Sequence, residues 1–167
     1  MASKIKVDQL ETADGTGTIA LQNQLSGMTS ASMPTGSVLQ VVNDVHISGG
    51  HFSTSSTSYI DSQLSATITP NFSNSKIIIV VNLGVQAPDQ GYAWARLLRG
   101  AGVLGGEAWI GSSGGTIYGS LNSTWEDTPS STSACTYKIQ VKTQSTAGYY
   151  YHHANIPSSL TLMEIKV

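Results

Sequence analysis

The 167-residue sequence predicts an all-β chain, an antiparallel jelly-roll β-sandwich preceded by an extended N-terminal arm, and three observations carry that prediction. Apolar and polar residues alternate with a period of two in one short run after another. The runs are separated by clusters of Gly, Ser, Asn and Pro, the residues that turn a chain. No stretch repeats its apolar positions at helical spacing over the length a stable helix needs.

The arm comes first, over residues 1–35. Ser3-Lys4-Ile5-Lys6-Val7-Asp8-Gln9-Leu10 and Thr12-Ala13-Asp14-Gly15-Thr16-Gly17-Thr18-Ile19-Ala20-Leu21 alternate in bursts broken by Gly, and the segment closes on Met33-Pro34-Thr35-Gly36. Ile5, Val7, Leu10, Ile19 and Leu21 are too few to close a core, so the arm needs a neighbour to pack against. These five are the candidate attachment residues, expected to lie along other chains of an assembly, as an anchor or an intertwined stalk.

Residues 36–167 read as one compact β domain, long enough to fold without staples. Ser37 to Val42 is a short β-branched strand, followed by a polar loop with Ser48-Gly49-Gly50 and the run Ser53 to Ser58. From Tyr59 to Pro70, Ile60, Leu64, Ala66 and Ile68 share one face while Asp61, Gln63, Ser65, Thr67 and Thr69 share the other, as in a half-buried strand. Pro70 to Ser75 is a turn. Lys76 to Leu83 is apolar on both sides, which predicts the centre of the core. Tyr92 to Arg99 has a composition that also allows two helical turns, and its breaks and its period-two neighbours favour a strand. Glu107 to Ile110, Thr116 to Leu121, Ala134 to Thr143 and Gly148 to Ala154 are further short strands. Ser159 to Val167 is the last, expected to be interior and paired on both sides.

The composition narrows the function. Charged residues make up 11% of the chain, against about 25% in an average globular protein. Few charges with many hydroxyls suit surfaces packed on other protein. The net charge of −2 has no basic stripe that would collect phosphates or lipid headgroups, so neither nucleic acid nor membrane insertion is expected. No apolar run approaches the roughly 18 residues of a membrane span and no secretory core opens the chain, which implies synthesis in the cytoplasm. The single cysteine, Cys135, alternates in register with Tyr137, Ile139 and Val141 and reads as a small core residue.

Motifs for chemistry do not hold. Gly100-Ala101-Gly102-Val103-Leu104-Gly105 matches the dinucleotide fingerprint, but no helical period follows to offer an N-terminus to pyrophosphate, and a glycine-rich hairpin is the better reading. Adjacent His152 and His153 point to opposite faces of a strand and cannot chelate one metal within a chain, although a symmetric trimer gathers three copies of one about its axis. Gly111-Ser112-Ser113-Gly114 is one residue short of a nucleophile elbow. Glu126 and Asp127 sit beside Thr128-Pro129 in what reads as a polar turn. No catalytic, cofactor or metal residue is assigned, and the chain does not read as an enzyme. More suggestive are Tyr92, Trp94, Trp109, Tyr118, Trp125, Tyr149, Tyr150 and Tyr151. They are candidate interface or surface-binding residues, with a subunit contact, ordinary core and a glycan or receptor surface all open.

The opening from Ser3 to Leu10 and from Gly15 to Leu21 resembles the leader of many tailed-bacteriophage virion proteins, especially fibre-like proteins of phages of aquatic bacteria. Phe72-Ser73-Asn74-Ser75-Lys76-Ile77, the Arg99-Gly100 turn, Asp127-Thr128-Pro129, Thr136-Tyr137-Lys138-Ile139-Gln140-Val141 and Ser159-Leu160-Thr161-Leu162-Met163-Glu164-Ile165 resemble the C-terminal knobs of such proteins, which are similar to the trimeric tumour-necrosis-factor-like jelly roll. The resemblance spans nearly the whole chain in short pieces. It implies a homotrimeric, non-enzymatic virion component without a cofactor, partnered by other virion structural proteins and by a host-surface glycan or protein. It transfers no binding residue. It fits a tail fibre, and the short chain keeps open a capsid decoration, as cement or head fibre.

Overall fold

The computed structural model describes residues 29–46, 52–89, 91–145, 148–152 and 156–167. The chain divides into two units, Met1–Ser32 and Met33–Val167. Of the first, the described part is a 3-10 turn at Ser30–Ser32, closed by the Ser32 amide on the Thr29 carbonyl at 2.9 Å. Ile5, Val7, Leu10, Ile19 and Leu21 lie outside the described residues, as do His51 and His153.

The second unit carries β1 (Val38–His46), β2 (Phe52–Thr54), β3 (Ile60–Ile68), β4 (Lys76–Ala87), β5 (Tyr92–Arg99), β6 (Gly102–Val103), β7 (Ala108–Gly111), β8 (Ile117–Asp127), β9 (Cys135–Thr143), β10 (Tyr149–Tyr151) and β11 (Ser158–Ile165). They form two antiparallel sheets. The first runs β1-β11-β4-β10-β2 with β8 on the other edge of β4, and the second runs β3-β9-β5-β6 with β7 also on β5. The pairing is nested: β1 with β11, β3 with β9, β4 with β8, β5 with β7. That is one long ribbon folded back on itself and wound over two layers, the jelly roll that the alternating runs predict. β11 is interior, paired with β1 and β4 as expected. Gly100 has a φ of +58° and turns β5 into β6, so the dinucleotide-like motif is a hairpin.

Between the layers lie Leu64, Ile68, Ile77, Ile79, Leu83, Leu97, Ile139, Leu160 and Leu162, all sealed from solvent. Cys135 packs at the margin of this core, half-buried. β3 keeps its expected faces, with Ser62 added to the buried side. Three expectations change. The loop after β1 contains a strand, β2, which has a ladder only because β10 arrives from far along the chain. β8 continues through Glu126 and Asp127, which are strand residues opposite Ile78 and Ile77 rather than a turn. β4 is not covered on both faces: Ile77, Ile79, Val81 and Leu83 point inward, while Ile78 and Val80 point outward from the sheet.

Two polar latches fasten the sandwich. The buried Glu164 carboxylate accepts hydrogen bonds from Gln40 Nε2 at 2.6 Å, the Asn71 amide at 2.7 Å, Asn71 Nδ2 at 2.7 Å and Ser75 Oγ at 2.6 Å, tying β1 and the β3–β4 turn to β11. Burial raises its pKa, and the hydrogen bonds more than offset that, holding it below the usual glutamate value. Asp127 of the first sheet accepts from Arg99 Nη1 and Tyr137 Oη of the second, each at 2.7 Å. The sequence pieces around Ser75 and Glu164, and around Arg99, Asp127 and Tyr137, thus meet as two cross-links.

Candidate functional site

Strand alternation builds a distinctive surface on the outer face of the second sheet. Along β5, Ala93, Ala95 and Leu97 face the core, which turns Tyr92, Trp94 and Arg96 outward. Register then sets their neighbours. Trp94 lies opposite Trp109 of β7 on one side and Lys142 of β9 on the other, and Arg96 lies opposite Gln140, which lies opposite Asp61 of β3. The result is an aromatic group beside a row of charges.

The rings form a continuous platform. Tyr92 is 5.9 Å from Trp94 and 5.5 Å from Trp109 between centroids, both in tilted geometry. Tyr92 lies over Gly111, where any Cβ would collide with its ring. Trp109 is 60% exposed.

The charges are held in pairs. Lys142 Nζ donates to Glu107 at 3.2 Å and stands 4.5 Å from the Tyr59 ring centre and 5.3 Å from that of Trp94. The Arg96 guanidinium stacks at 3.9 Å on Tyr59 and donates twice to Gln140 Oε1, at 3.0 and 2.7 Å. Gln140 Nε2 and Lys138 Nζ donate to the two oxygens of Asp61, each at 2.8 Å. The Tyr59 hydroxyl and then Lys142 hold Glu107 below the usual carboxylate value, while burial and Glu107 push the Tyr59 phenol up. None of these side chains brings a nucleophile to a base.

Of the eight aromatic candidates, Tyr92, Trp94 and Trp109 meet here. Tyr149 and Tyr151 do not reach the surface. They alternate inward and are sealed in the core, with the Tyr151 hydroxyl donating to the Lys142 carbonyl at 2.8 Å, because consecutive positions on a strand must part. Tyr150, between them, faces outward on the first sheet, and with Tyr118 it flanks Gln86 on the opposite side of the molecule. Trp125 lies opposite the inward Ile79 and packs against the edge of the core. Tyr59, Arg96, Glu107, Gln140 and Lys142 were not predicted as a group; they become one only through cross-strand register.

The rings of His46 and His152 stack with their centroids 4.6 Å apart. His152 is buried with a φ of +55°, and its Nε2 bonds the Ser62 carbonyl. Burial lowers its pKa. Asp44 Oδ2 stands 3.6 Å from His46 Nε2, and the partner of His152 is a backbone carbonyl, so no nucleophilic hydroxyl is placed on either ring. Among the described residues no group of three or more His, Cys, Asp or Glu side chains is gathered to hold a metal, and no helix is long and apolar enough to cross a membrane.

No protein-family model and no curated protein sequence matches the chain. Among solved structures it is similar to the infectious bursal disease virus VP2 subviral particle (11% identity, TM-score 0.47, 77% of this chain and 38% of that one). It is also similar to the structure of the Gt strain of the same virus (10% identity, TM-score 0.46, 78% and 39%). The chain therefore spans under two-fifths of the chains it overlays.

Proposed function

We propose that the protein is a structural component of a bacteriophage virion, a homotrimeric tail-fibre-like protein that attaches through residues 1–35 and presents its β-sandwich for host-surface binding. One observation carries this reading. Over residues 77–81 β4 is apolar on both faces, as in a sheet covered on both sides, yet one subunit covers only the face of Ile77, Ile79 and Val81. Outward Ile78 lies opposite Met163, which lies opposite Val41, and Val80 and Val45 extend the same surface. Val41 is 57% exposed. Exposed aliphatic side chains grouped in this way, with Asn43, Thr161, Ser159 and Asn82 on the same face, suit a contact with other protein. Copies of the chain meet there, and the aromatic face on the other layer is left toward the host.

A three-fold array also gains avidity from individually weak contacts. The leader, similar to phage virion leaders, accounts for attachment to other virion proteins. Sedimentation of the full chain at micromolar concentration is expected to give three times the subunit mass of 17.5 kDa, and a monomer would refute the assembly. Gold-labelled antibody on intact particles is expected to mark the tail. Label on the head would replace the fibre with a trimeric capsid decoration, and unlabelled particles would refute both.

A further inference from the structure

The aromatic platform continues into a cavity on the same outer face. Opposite Ile139 the ladder between β3 and β9 breaks: pairing jumps from Asp61 with Gln140 to Ser65 with Lys138, leaving three residues of β3 against one of β9. Gln63, in that bulge, has a φ of +72°, a conformation that costs a non-glycine residue energy and is kept where the surroundings impose it. From the core side the ring of His152 holds the Ser62 carbonyl, and the Ser65 amide donates to Asp44 of the other sheet at 2.9 Å. The fixed bulge opens a cavity of about 160 Å³ floored by Leu64 and Ile139 and walled by Asp61, Gln63, Thr136 and Lys138.

From Lys142 beside Trp94 to Lys138 beside the cavity is four residues along β9, about 14 Å at strand spacing. Between the two lies the row Arg96, Gln140, Asp61. Each of the three cations on this path is already occupied: Lys142 by Glu107, Arg96 by Gln140 and Tyr59, Lys138 by Asp61. Glu107 and Asp61 place a carboxylate beside Lys142 and Lys138, so an acidic ligand meets a like charge at both ends of the path. Between them Arg96 is held flat on Tyr59 with two donors spent on Gln140. A neutral ligand bearing many hydroxyls breaks no pair, because a paired carboxylate or amide oxygen keeps lone pairs free to accept. Flat rings take the apolar face of such a ligand while the fixed polar groups read its rim.

We propose that this face is a binding groove for a neutral oligosaccharide, with one sugar stacked on Trp94 and Trp109 and another seated in the cavity at the Gln63 bulge. It rests on the reading above only in supposing that the second sheet faces the host.

The test is a titration of the full-length protein, labelled with 15N, with neutral oligosaccharides of two to seven sugars built from glucose, mannose, galactose or N-acetylglucosamine. Heparin and polysialic acid serve as acidic probes. The indole N–H signals of Trp94 and Trp109 are expected to move with at least one neutral series while that of Trp125 stays, and affinity is expected to rise with length. Trp94→Ala is expected to weaken binding about tenfold or more. Ser65→Tyr, which fills the mouth of the cavity from an exposed strand position, is expected to lower affinity for the longer chains and leave the disaccharide unchanged. Both variants are compared by thermal melting with the parent, and the signal shifts in the parent need no variant at all. No shift with any neutral series, shifts confined to heparin or polysialic acid, or binding to a host protein that survives glycan removal would each overturn the proposal. Trimer mass and gold labelling are unaffected by these outcomes, so the groove can fail while the virion role stands.

Discussion

Replacing Glu164 by Gln tests the latch that joins three parts of the fold. All four of its partners donate: Gln40 Nε2, the Asn71 amide, Asn71 Nδ2 and Ser75 Oγ. A carboxylate accepts from them all, whereas the amide of Gln offers one acceptor oxygen and turns its NH2 toward the other pair of donors. The Ser75 hydroxyl can rotate away, but the Asn71 amide cannot, and Gln40 is fixed by its second bond to the Thr69 carbonyl at 2.7 Å. With hydrogen bonds to a charged group worth about 1.5–3 kcal/mol each and a buried unsatisfied donor costing about 1–3 kcal/mol, the expected loss is about 2–4 kcal/mol. In a unit of this size that lowers Tm by about 10 °C.

The pH dependence gives an independent sign. The folded carboxyl lies below its ordinary value of 4.5, so its stabilisation is complete above that pH and disappears as pH falls through the folded pKa. Melting followed by circular dichroism from pH 7 to pH 3 should therefore show parent and Glu164→Gln far apart at pH 7 and converging in acid. Equal Tm at pH 7, or a constant gap down to pH 3, would refute the reasoning.

Three further outcomes follow from the same geometry. Val80→Lys should leave the fold nearly as stable as before, since surface changes usually cost under about 0.5 kcal/mol, while sedimentation shows the assembly reduced to monomer; a persisting trimer would mean that copies meet elsewhere. Gly111→Ala should push the Tyr92 ring off β7, moving the Trp109 indole signal and weakening any ligand held by the platform, with unchanged spectra as the contrary result. His152, facing His46 and Asp44, is buried with its pKa lowered from 6.5, so its contribution is intact above that value and is lost on acidification below it. His152→Asn keeps the tolerance for positive φ and a donor for the Ser62 carbonyl but removes the titration, and its Tm should change less than the parent's between pH 7 and pH 5.

The alternation of Ile60, Leu64, Ala66 and Ile68 with polar neighbours was enough to assign β3, because burial of one strand face is a local property of the sequence. The same rule applied one residue at a time would have parted Tyr150 from Tyr149 and Tyr151. What alternation does not contain is register. β2 exists because β10 pairs with it across nearly a hundred residues, and Asp61 meets Gln140 and Arg96 only once β9 lies between β3 and β5. The two-sided apolar run of β4 was legible, but whether its second face met a layer of the same chain depended on how the ribbon wound. The sequence by itself determined most of the strands and turns and their inward faces, since these follow from periods of two and from turn residues, but it missed β2 and ended β8 before Glu126 and Asp127. Tertiary structure alone decided which outward side chains share a surface, because hydrogen-bonded pairing between distant strands sets their neighbours, and that pairing placed Tyr92, Trp94 and Trp109 on one layer and Val41, Val45 and Val80 on the other.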